Sequence, residues 1–285
     1  EGDIFYSENQ GDWVGSGRIT HLEKGDFAGN PAGLRWTDEE NAPLSLKRKD
    51  IPNTGLPLHE IAADIPELKL PAVWLPHGIV GTSTSDILPD TTNGAFGPFS
   101  GQMFIGDQGQ SKINRVFMEK VEGKYQGACF PFMEGFSSGV FRMRWGSDHS
   151  MFVGMTSRGW NSTGPEMFGL QRLRWTGKIP FEIKTIKAQP DGFLLEFTQP
   201  VDKNSASEPG AYAVSGFTYH YWSRYGSKIL NQQDCMIHKV EVAPDGMSAR
   251  LIIHGLRKGN FIKEKAPGGR LKKGLLYFMI LGFYP

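Results

Sequence analysis

The chain has 285 residues and a formal charge of +1 at neutral pH, with 31 basic and 30 acidic side chains. Because no dense block of Lys and Arg gives an electrostatic footprint, the composition argues against nucleic acid as a partner. Its 36 glycines and 18 prolines, without the composition of long helices, favour many short strands and turns. The longest apolar run, residues 275–284, is far shorter than the roughly 20 residues of a spanning helix, so we expect no membrane span.

Cys129 and Cys235 are the only cysteines. Two are too few for a disulfide scaffold or a structural zinc site, so we expect two buried thiols. The chain has no Cys-x-x-Cys-His, and therefore no motif for attaching a c-type haem. Neither a phosphate-binding loop nor the zinc spacing His-Glu-x-x-His occurs, which leaves a nucleotide-binding or zinc-hydrolase function without support.

One short pattern of apolar and β-favouring residues occurs at residues 2–7, 101–106 and 150–154. Phe104 and Phe152 are 48 residues apart, and Phe5 lies 99 residues before Phe104, so we expect a degenerate copy between them at residues 82–87. Each copy is followed by a polar, Gly-rich turn and a second run, which indicates hairpins. A period of roughly 40–50 residues built from hairpins is typical of β-propeller blades.

The sequence therefore predicts an all-β fold. Residues 1–177 form part of a β-propeller with about three to four blades. Residues 37–70 are charged and weakly periodic, which predicts an insertion with a short helix around residues 58–63. Beyond residue 178 short strands continue without the repeat, which predicts a small Ig-like β-sandwich over residues 178–285.

The segment around Arg142 and Arg144 reads as a strand. Successive side chains of a strand alternate between its faces, so Phe141, Met143 and Trp145 share one side and the two arginines share the other. Two adjacent guanidinium forks can hold a planar polycarboxylate, which suits an anionic cofactor or substrate. A solvated basic face explains the same spacing.

Two turns carry further candidate ligands. In residues 106–112, glycines would let the backbone approach a ligand and Lys112 would add a point charge, although an ordinary hairpin loop explains the same residues. Gly11 and Asp12 offer backbone carbonyls and one carboxylate, the hard oxygen ligands that Ca²⁺ prefers. A plain turn is the alternative there.

Residues 2–11, 103–108 and 141–144 resemble the glucose/sorbosone dehydrogenase family of six-bladed quinoprotein propellers. The order of residues 130–136, 151–154 and 158–160 is similar to the large sugar dehydrogenases of environmental bacteria. Those proteins are membrane-associated or periplasmic and often carry haem-binding domains elsewhere in the chain. The resemblance covers roughly residues 1–175 and extends into the predicted sandwich.

The resemblance implies pyrroloquinoline quinone (PQQ) on the propeller axis, with Ca²⁺ beside it. Arg142 and Arg144 would clamp the quinone carboxylates, Lys112 would contact the cofactor, and Gly11 and Asp12 would supply calcium ligands. The implied function is the C-terminal portion of a PQQ-dependent sugar or aldose dehydrogenase, in which hydride passes from the sugar C1 to the quinone.

The catalytic His of that family belongs to an earlier blade, which would lie upstream of residue 1. No catalytic residue is therefore assigned within the chain, and we expect these residues alone to be inactive. The resemblance also implies a periplasmic or secreted location, with a cytochrome or haem-binding domain as electron acceptor.

The alternative is a non-catalytic propeller and sandwich module that binds carbohydrate or protein. Tyr219, Tyr221, Trp222 and Tyr225 could stack on sugars in such a module, or form the core and rim of the sandwich.

Overall fold

Antiparallel strands account for most of the fold, which is taken from a computed structural model describing residues 2–257 and the backbone of two later strands, Phe261–Lys265 and Leu275–Met279. The helices among these residues are short. The predicted all-β fold class is therefore confirmed.

The first sheet has three antiparallel strands in the order β1-β2-β3, namely β1 (Ile4–Glu8), β2 (Gly17–Leu22) and β3 (Val73–Leu75). A long excursion separates β2 from β3 and contains three short helices: 3-10 turns at Pro31–Trp36 and Arg48–Asp50, and helix α1 (Leu58–Asp64). The short helix expected within residues 37–70 is therefore present.

Four strands in the order of the chain form one end of a larger sheet, and we call these four strands the second sheet: β4 (Thr84–Pro89), β5 (Met103–Asp107), β6 (Lys112–Val121) and β7 (Lys124–Met133). Strands β6 and β7 are joined by Glu122 and Gly123, with φ of 50° and 80°. Positive φ at both central residues gives the turn a twist that matches the strands it joins.

The third sheet is again a three-stranded meander, of β8 (Val140–Trp145), β9 (Met151–Thr156) and β10 (Phe168–Leu173). The second sheet packs between the other two. Ile105 on β5 lies in one apolar cluster with Ile19 of the first sheet, while the preceding residue, Phe104, lies in another with Met143 and Val153 of the third. The first strands of the three sheets also lie side by side, since β4 contacts both β1 and β8.

The rest of the chain forms β11 (Ile183–Gln189), β12 (Gly192–Phe197), helix α2 (Lys203–Ala206), a 3-10 turn at Pro209–Ala211, β13 (Ala213–Thr218), β14 (Leu230–Val242), β15 (Ser248–His254), β16 (Phe261–Lys265) and β17 (Leu275–Met279). Their order is β11-β12-β15-β14-β13-β16-β17, and β17 pairs with β7 of the second sheet. Because this pairing runs across residue 178, the boundary predicted there and the Ig-like sandwich stay predictions.

The C-terminal strands bury their own apolar cluster, which includes Phe193, Leu195 and Leu251 and also Phe130 from β7. A second cluster joins Tyr219 and Tyr221 to residues of the excursion such as Ile61. The excursion is thus part of the packed fold, because C-terminal aromatic residues cover its apolar side chains.

Candidate functional site

Arg142 and Arg144 lie on one exposed face of the third sheet, while Met143 between them is fully buried. This is the alternation expected of a strand, and Trp145 packs on the buried side as expected. The expectation for Phe141 is wrong, because its side chain is 41% exposed. The pairing of β8 with β9 shifts between Val140 and Arg142, so Phe141 is the extra residue of a β-bulge.

Cross-strand pairing defines the rest of this surface. Arg144, Phe152 and Arg172 are neighbours across β8, β9 and β10, and so are Arg142, Gly154 and Leu170. Phe152 and Leu170 are 37% and 71% exposed. We call this surface the arginine face, made of Arg142, Arg144, Phe152, Gly154, Leu170 and Arg172.

The three arginines of this face differ in their partners. Arg144 forms an ion pair with Asp86 of β4 at 2.9 Å, and Arg172 pairs with Asp148 in the loop between β8 and β9. Arg142 donates to the carbonyl of Phe141, and its guanidinium lies 4.4 Å from the centre of that ring. Within residues 2–257, Arg142 makes no ion pair with a carboxylate.

The second strands of the second and third sheets carry matching sequence copies, with Phe104 on β5 corresponding to Phe152 on β9. Phe104 is completely buried against the third sheet, whereas Phe152 points away from the second sheet. The residues that follow, Ile105 and Val153, are both completely buried on the opposite faces. The arginine face of the third sheet therefore corresponds to the face of the second sheet that packs against the third sheet.

A glycine follows at the same place in both copies. A Cβ added to Gly106 would lie 2.7 Å from a methyl of Val140 on the third sheet, so the two sheets approach too closely there for a side chain. Among the described residues, a Cβ on Gly154 would meet nothing closer than the carbonyl of Arg142, at 3.7 Å. The third sheet thus has space at Gly154 for a neighbour that approaches as Val140 approaches Gly106.

Lys112 is not part of the arginine face. It pairs with Asp107 across β5 and β6, its side chain is buried, and its Nζ donates to the carbonyl of Ile79 at 3.3 Å. It shares a side of β6 with Val116, which packs toward the first sheet. The structure therefore separates Lys112 from Arg142 and Arg144, which lie on the far side of the third sheet.

Gly11 and Asp12 lie in the turn after β1, against Tyr225 and Gly226. The carbonyl of Gly11 already accepts the backbone N–H groups of Val14 and Gly226, at 3.0 and 2.9 Å. The carbonyl of Asp12 accepts from the side chain of Asn30. The Asp12 carboxylate is exposed and forms no ion pair with a side chain of residues 2–257. Because both carbonyl oxygens already accept hydrogen bonds, they do not fit a calcium site that depends on them as ligands. The calcium assignment stays a prediction.

A second candidate site, which sequence reasoning missed, is a cleft of about 260 Å³ where the second and third sheets meet the segment leading to β11. Aromatic and charged side chains alternate in its lining. We call it the aromatic cleft and define it by Phe99, Phe132, Arg174, Trp175, Lys178 and Glu182.

Arg115 lies at the bottom of this cleft and is the cross-strand neighbour of Phe104. It is 1% exposed and donates to the side-chain oxygen of Gln102 and to the carbonyls of Ile183 and Lys184. Burial lowers the pKa of Arg115 to about 9, so it stays cationic at neutral pH. Arg115 therefore joins the second sheet to the start of β11.

Glu182 also lines the cleft, and burial raises the pKa of its carboxyl group while the charge of Arg115 opposes that rise. Trp175 is 38% exposed and donates from its indole N–H to the carbonyl of Lys178 at 3.3 Å. The backbone of Gly97 lies against the indole, since a Cβ there would be 3.8 Å from three ring atoms. The Trp175 ring is thus fixed on one side and partly open to solvent.

The remaining residues that the sequence singles out are packed in the fold. Cys129 and Cys235 are buried free thiols, as expected, and burial raises the pKa of Cys129 to about 12, which makes it a poor nucleophile. Tyr219 and Tyr221 are core residues, whereas Tyr225 is 65% exposed.

Residues 135–139 match the pattern Gly-x-Ser-x-Gly of a serine nucleophile. They connect strand β7 to strand β8, not a strand to a helix as a nucleophile elbow requires. The hydroxyl of Ser137 contacts the sulfur of Met155. This geometry gives no support to a serine nucleophile.

Comparison with known proteins returned no match among protein-family models, curated proteins or solved structures. Among the described residues, no helix combines the length and the apolar character needed to cross a membrane. The same residues contain no group of three or more His, Cys, Asp or Glu side chains placed to hold a metal ion.

Proposed function

We propose that this chain is part of a β-propeller sugar oxidoreductase, and that its arginine face packs against a further propeller sheet supplied by polypeptide outside these 285 residues. The observation that carries the proposal is the correspondence between Gly106, which the third sheet covers, and Gly154, which is open. A propeller repeats one sheet-on-sheet contact around its axis, so matching positions on successive sheets are expected to be covered in the same way.

The composition of the arginine face supports a specific partner sheet. Phe152 and Leu170 are exposed at its centre, and contiguous exposed apolar side chains with a polar rim are typical of interaction surfaces. Arg142 has no carboxylate partner of its own among the described residues, so we expect an Asp or Glu of the partner sheet beside it. A small aliphatic residue is expected opposite Gly154, in the role that Val140 has at Gly106.

The sugar-oxidising part of the proposal rests on the resemblance to quinoprotein dehydrogenases. A bound quinone would supply the hydride acceptor. Arg142 and Arg144 project from the same face and could hold carboxylates, but Lys112 and the Gly11 carbonyl are committed to contacts elsewhere. We therefore propose that these 285 residues pack against the partner sheet and supply Arg142 and Arg144 as carboxylate ligands. The base that abstracts the proton lies outside them.

The packing proposal is tested by Gly154→Val. In the 285-residue chain we expect the free energy of unfolding to change by less than about 0.5 kcal/mol, because nothing crowds Gly154. In the complete gene product we expect a loss of about 1–3 kcal/mol from overpacking against the partner sheet. Both values come from denaturant unfolding.

Gly106→Val is the matched control and should destabilise both forms, since Val140 already fills that space. An equally small effect of Gly154→Val in both forms would contradict the packing proposal. Sedimentation of the 285-residue chain adds a check: a stable dimer that Gly154→Val dissociates would identify a second copy as the occupant instead.

The catalytic part is tested separately, by dye reduction with the complete gene product, Ca²⁺, PQQ and a panel of aldoses. We expect reduction that depends on both additions. Failure with every sugar, in a protein that passes the Gly154 test, would leave the packing intact and remove the oxidoreductase assignment.

A non-catalytic module that binds carbohydrate is the second candidate, favoured by the aromatic cleft. The dye-reduction assay distinguishes the two candidate functions, because a binding module binds sugar without reducing the dye under any of these conditions.

A further inference from the structure

The aromatic cleft has the size and lining of a small-molecule site. Ligand pockets are concave and mostly apolar, with a few polar groups that fix orientation. At about 260 Å³ the cleft is slightly below the usual range of roughly 300–1,000 Å³ for such pockets, so it suits a ligand no larger than a single sugar ring.

Trp175 provides a flat apolar surface in this cleft. Gly97 supports one side of the indole, and the ring remains 38% exposed. A large, rigid aromatic surface with one end apolar and the other wet suits a ligand that also has an apolar side and a polar edge. A pyranose ring, with its C–H groups on one face and hydroxyls around its edge, has that character.

The charges of the lining favour an anion. Arg115, Arg174 and Lys178 give three cationic groups, and Glu182 is the one acid among the residues that line the cleft. Arg174 and Lys178 are exposed, and neither forms an ion pair with any side chain of residues 2–257. They are therefore free to bind a carboxylate or sulfate group.

Glu182 and the hydroxyl of Thr176 add acceptors to this lining. The carboxyl group of Glu182 can accept hydrogen bonds from the hydroxyl groups of a ligand, which a purely aromatic carboxylate lacks. Cations and hydroxyl acceptors together select a ligand that carries both a negative charge and hydroxyls.

From this combination we infer that the aromatic cleft binds a small anionic sugar, with the ring on Trp175 and its negative group at Arg174 and Lys178. This inference does not depend on the arginine face or on sugar oxidation. It adds a binding site at the junction between the third sheet and β11.

The test is calorimetric titration of the chain with D-glucuronate, glucose 6-sulfate, D-glucose and benzoate. We expect D-glucuronate or glucose 6-sulfate to bind with a Kd about tenfold lower than that of D-glucose. The tighter of the two anions identifies carboxylate or sulfate as the recognised group. Benzoate is expected to bind more weakly than the anionic sugar.

Variants locate the site. Trp175→Ala should raise the Kd of the anionic sugar at least about tenfold, and Trp175→Phe should give an intermediate value that shows the fold is intact. Lys178→Gln should weaken the anionic sugar several-fold and leave D-glucose unchanged. Trp36→Ala and Lys24→Gln, at exposed positions outside the cleft, are the matched controls and should have no effect.

Equal affinities for D-glucose and the anionic sugars would overturn the inference, as would benzoate binding as tightly as they do. Absence of binding by all four compounds, or equal weakening by Trp36→Ala and Trp175→Ala, would overturn it too. None of these results bears on the Gly154 test, so the two proposals fail independently.

Discussion

Arg115 of the second sheet and Arg172 of the third occupy corresponding positions, each beside the phenylalanine of its sequence copy. Arg115 is 1% exposed, and its donors are taken by a side-chain oxygen and two backbone carbonyls of the chain. The Arg172 side chain is 42% exposed and pairs with Asp148. Arginine is thus structural at position 115, where a neighbouring sheet and the segment before β11 cover it. At position 172 no described residue covers the side chain, and it can be recognised by a partner.

The largest expected effect is that of Arg115→Met. The substitution leaves the side-chain oxygen of Gln102 and the carbonyl of Ile183 without their donor, whereas the carbonyl of Lys184 still accepts from the side-chain amide of Gln102. Each unpaired buried group costs roughly 1–3 kcal/mol, so we expect a loss of at least about 2 kcal/mol in the free energy of unfolding. Urea denaturation measures it, and a loss below about 1 kcal/mol would show that Arg115 does not hold β11 in place.

Arg172→Met is the matching change on the third sheet. We expect a loss of no more than about 1 kcal/mol in the same assay, because the pair with Asp148 is exposed and screened by solvent. A loss as large as that of Arg115→Met would mean that the two positions are equally structural, and the contrast between the sheets would disappear.

The smallest expected effect concerns Glu182, whose pKa lies above the ordinary value of 4.5 because of burial, with Arg115 opposing the shift. A carboxyl group with a raised folded-state pKa contributes stability that is complete below the unfolded-state pKa and is lost as pH rises through the folded-state value. Glu182→Gln should therefore reduce the change in Tm between about pH 4.5 and pH 7. An unaltered Tm profile would show that Glu182 titrates as if it were solvated.

Alternation along residues 140–145 was sufficient to predict that Arg142 and Arg144 share a face, because a strand repeats every two residues. Alternation was not sufficient to predict the position of Phe141, since a bulge depends on pairing with β9 and cannot be read from the sequence of β8 alone.

The repeat correctly matched Phe104 with Phe152. It misplaced residues 2–7 and 82–87, which lie in β1 and β4, the first strands of their sheets, instead of the second strands.

The aromatic cleft could not be predicted from the sequence, because its lining comes from stretches far apart in the chain. Phe99, Phe132 and Trp175 belong to a loop, the end of β7 and the segment after β10, and only the packing of two sheets brings them together. The available signal in the sequence is the group of basic residues around Trp175 at 172–178.

The bulge at Phe141 has a consequence for sequence variation. Val140 and Met143 are three positions apart and pack in the same apolar cluster, whereas residues three apart in a regular strand point to opposite sides. The extra residue absorbs the odd spacing, so a related chain that lacked one residue here could close the bulge and keep Val140 opposite Met155 and Arg142 opposite Gly154. Deletion of one residue at this point is therefore expected to keep the pairing of β8 with β9, whereas deletion of residue 143 would turn Arg144 inward.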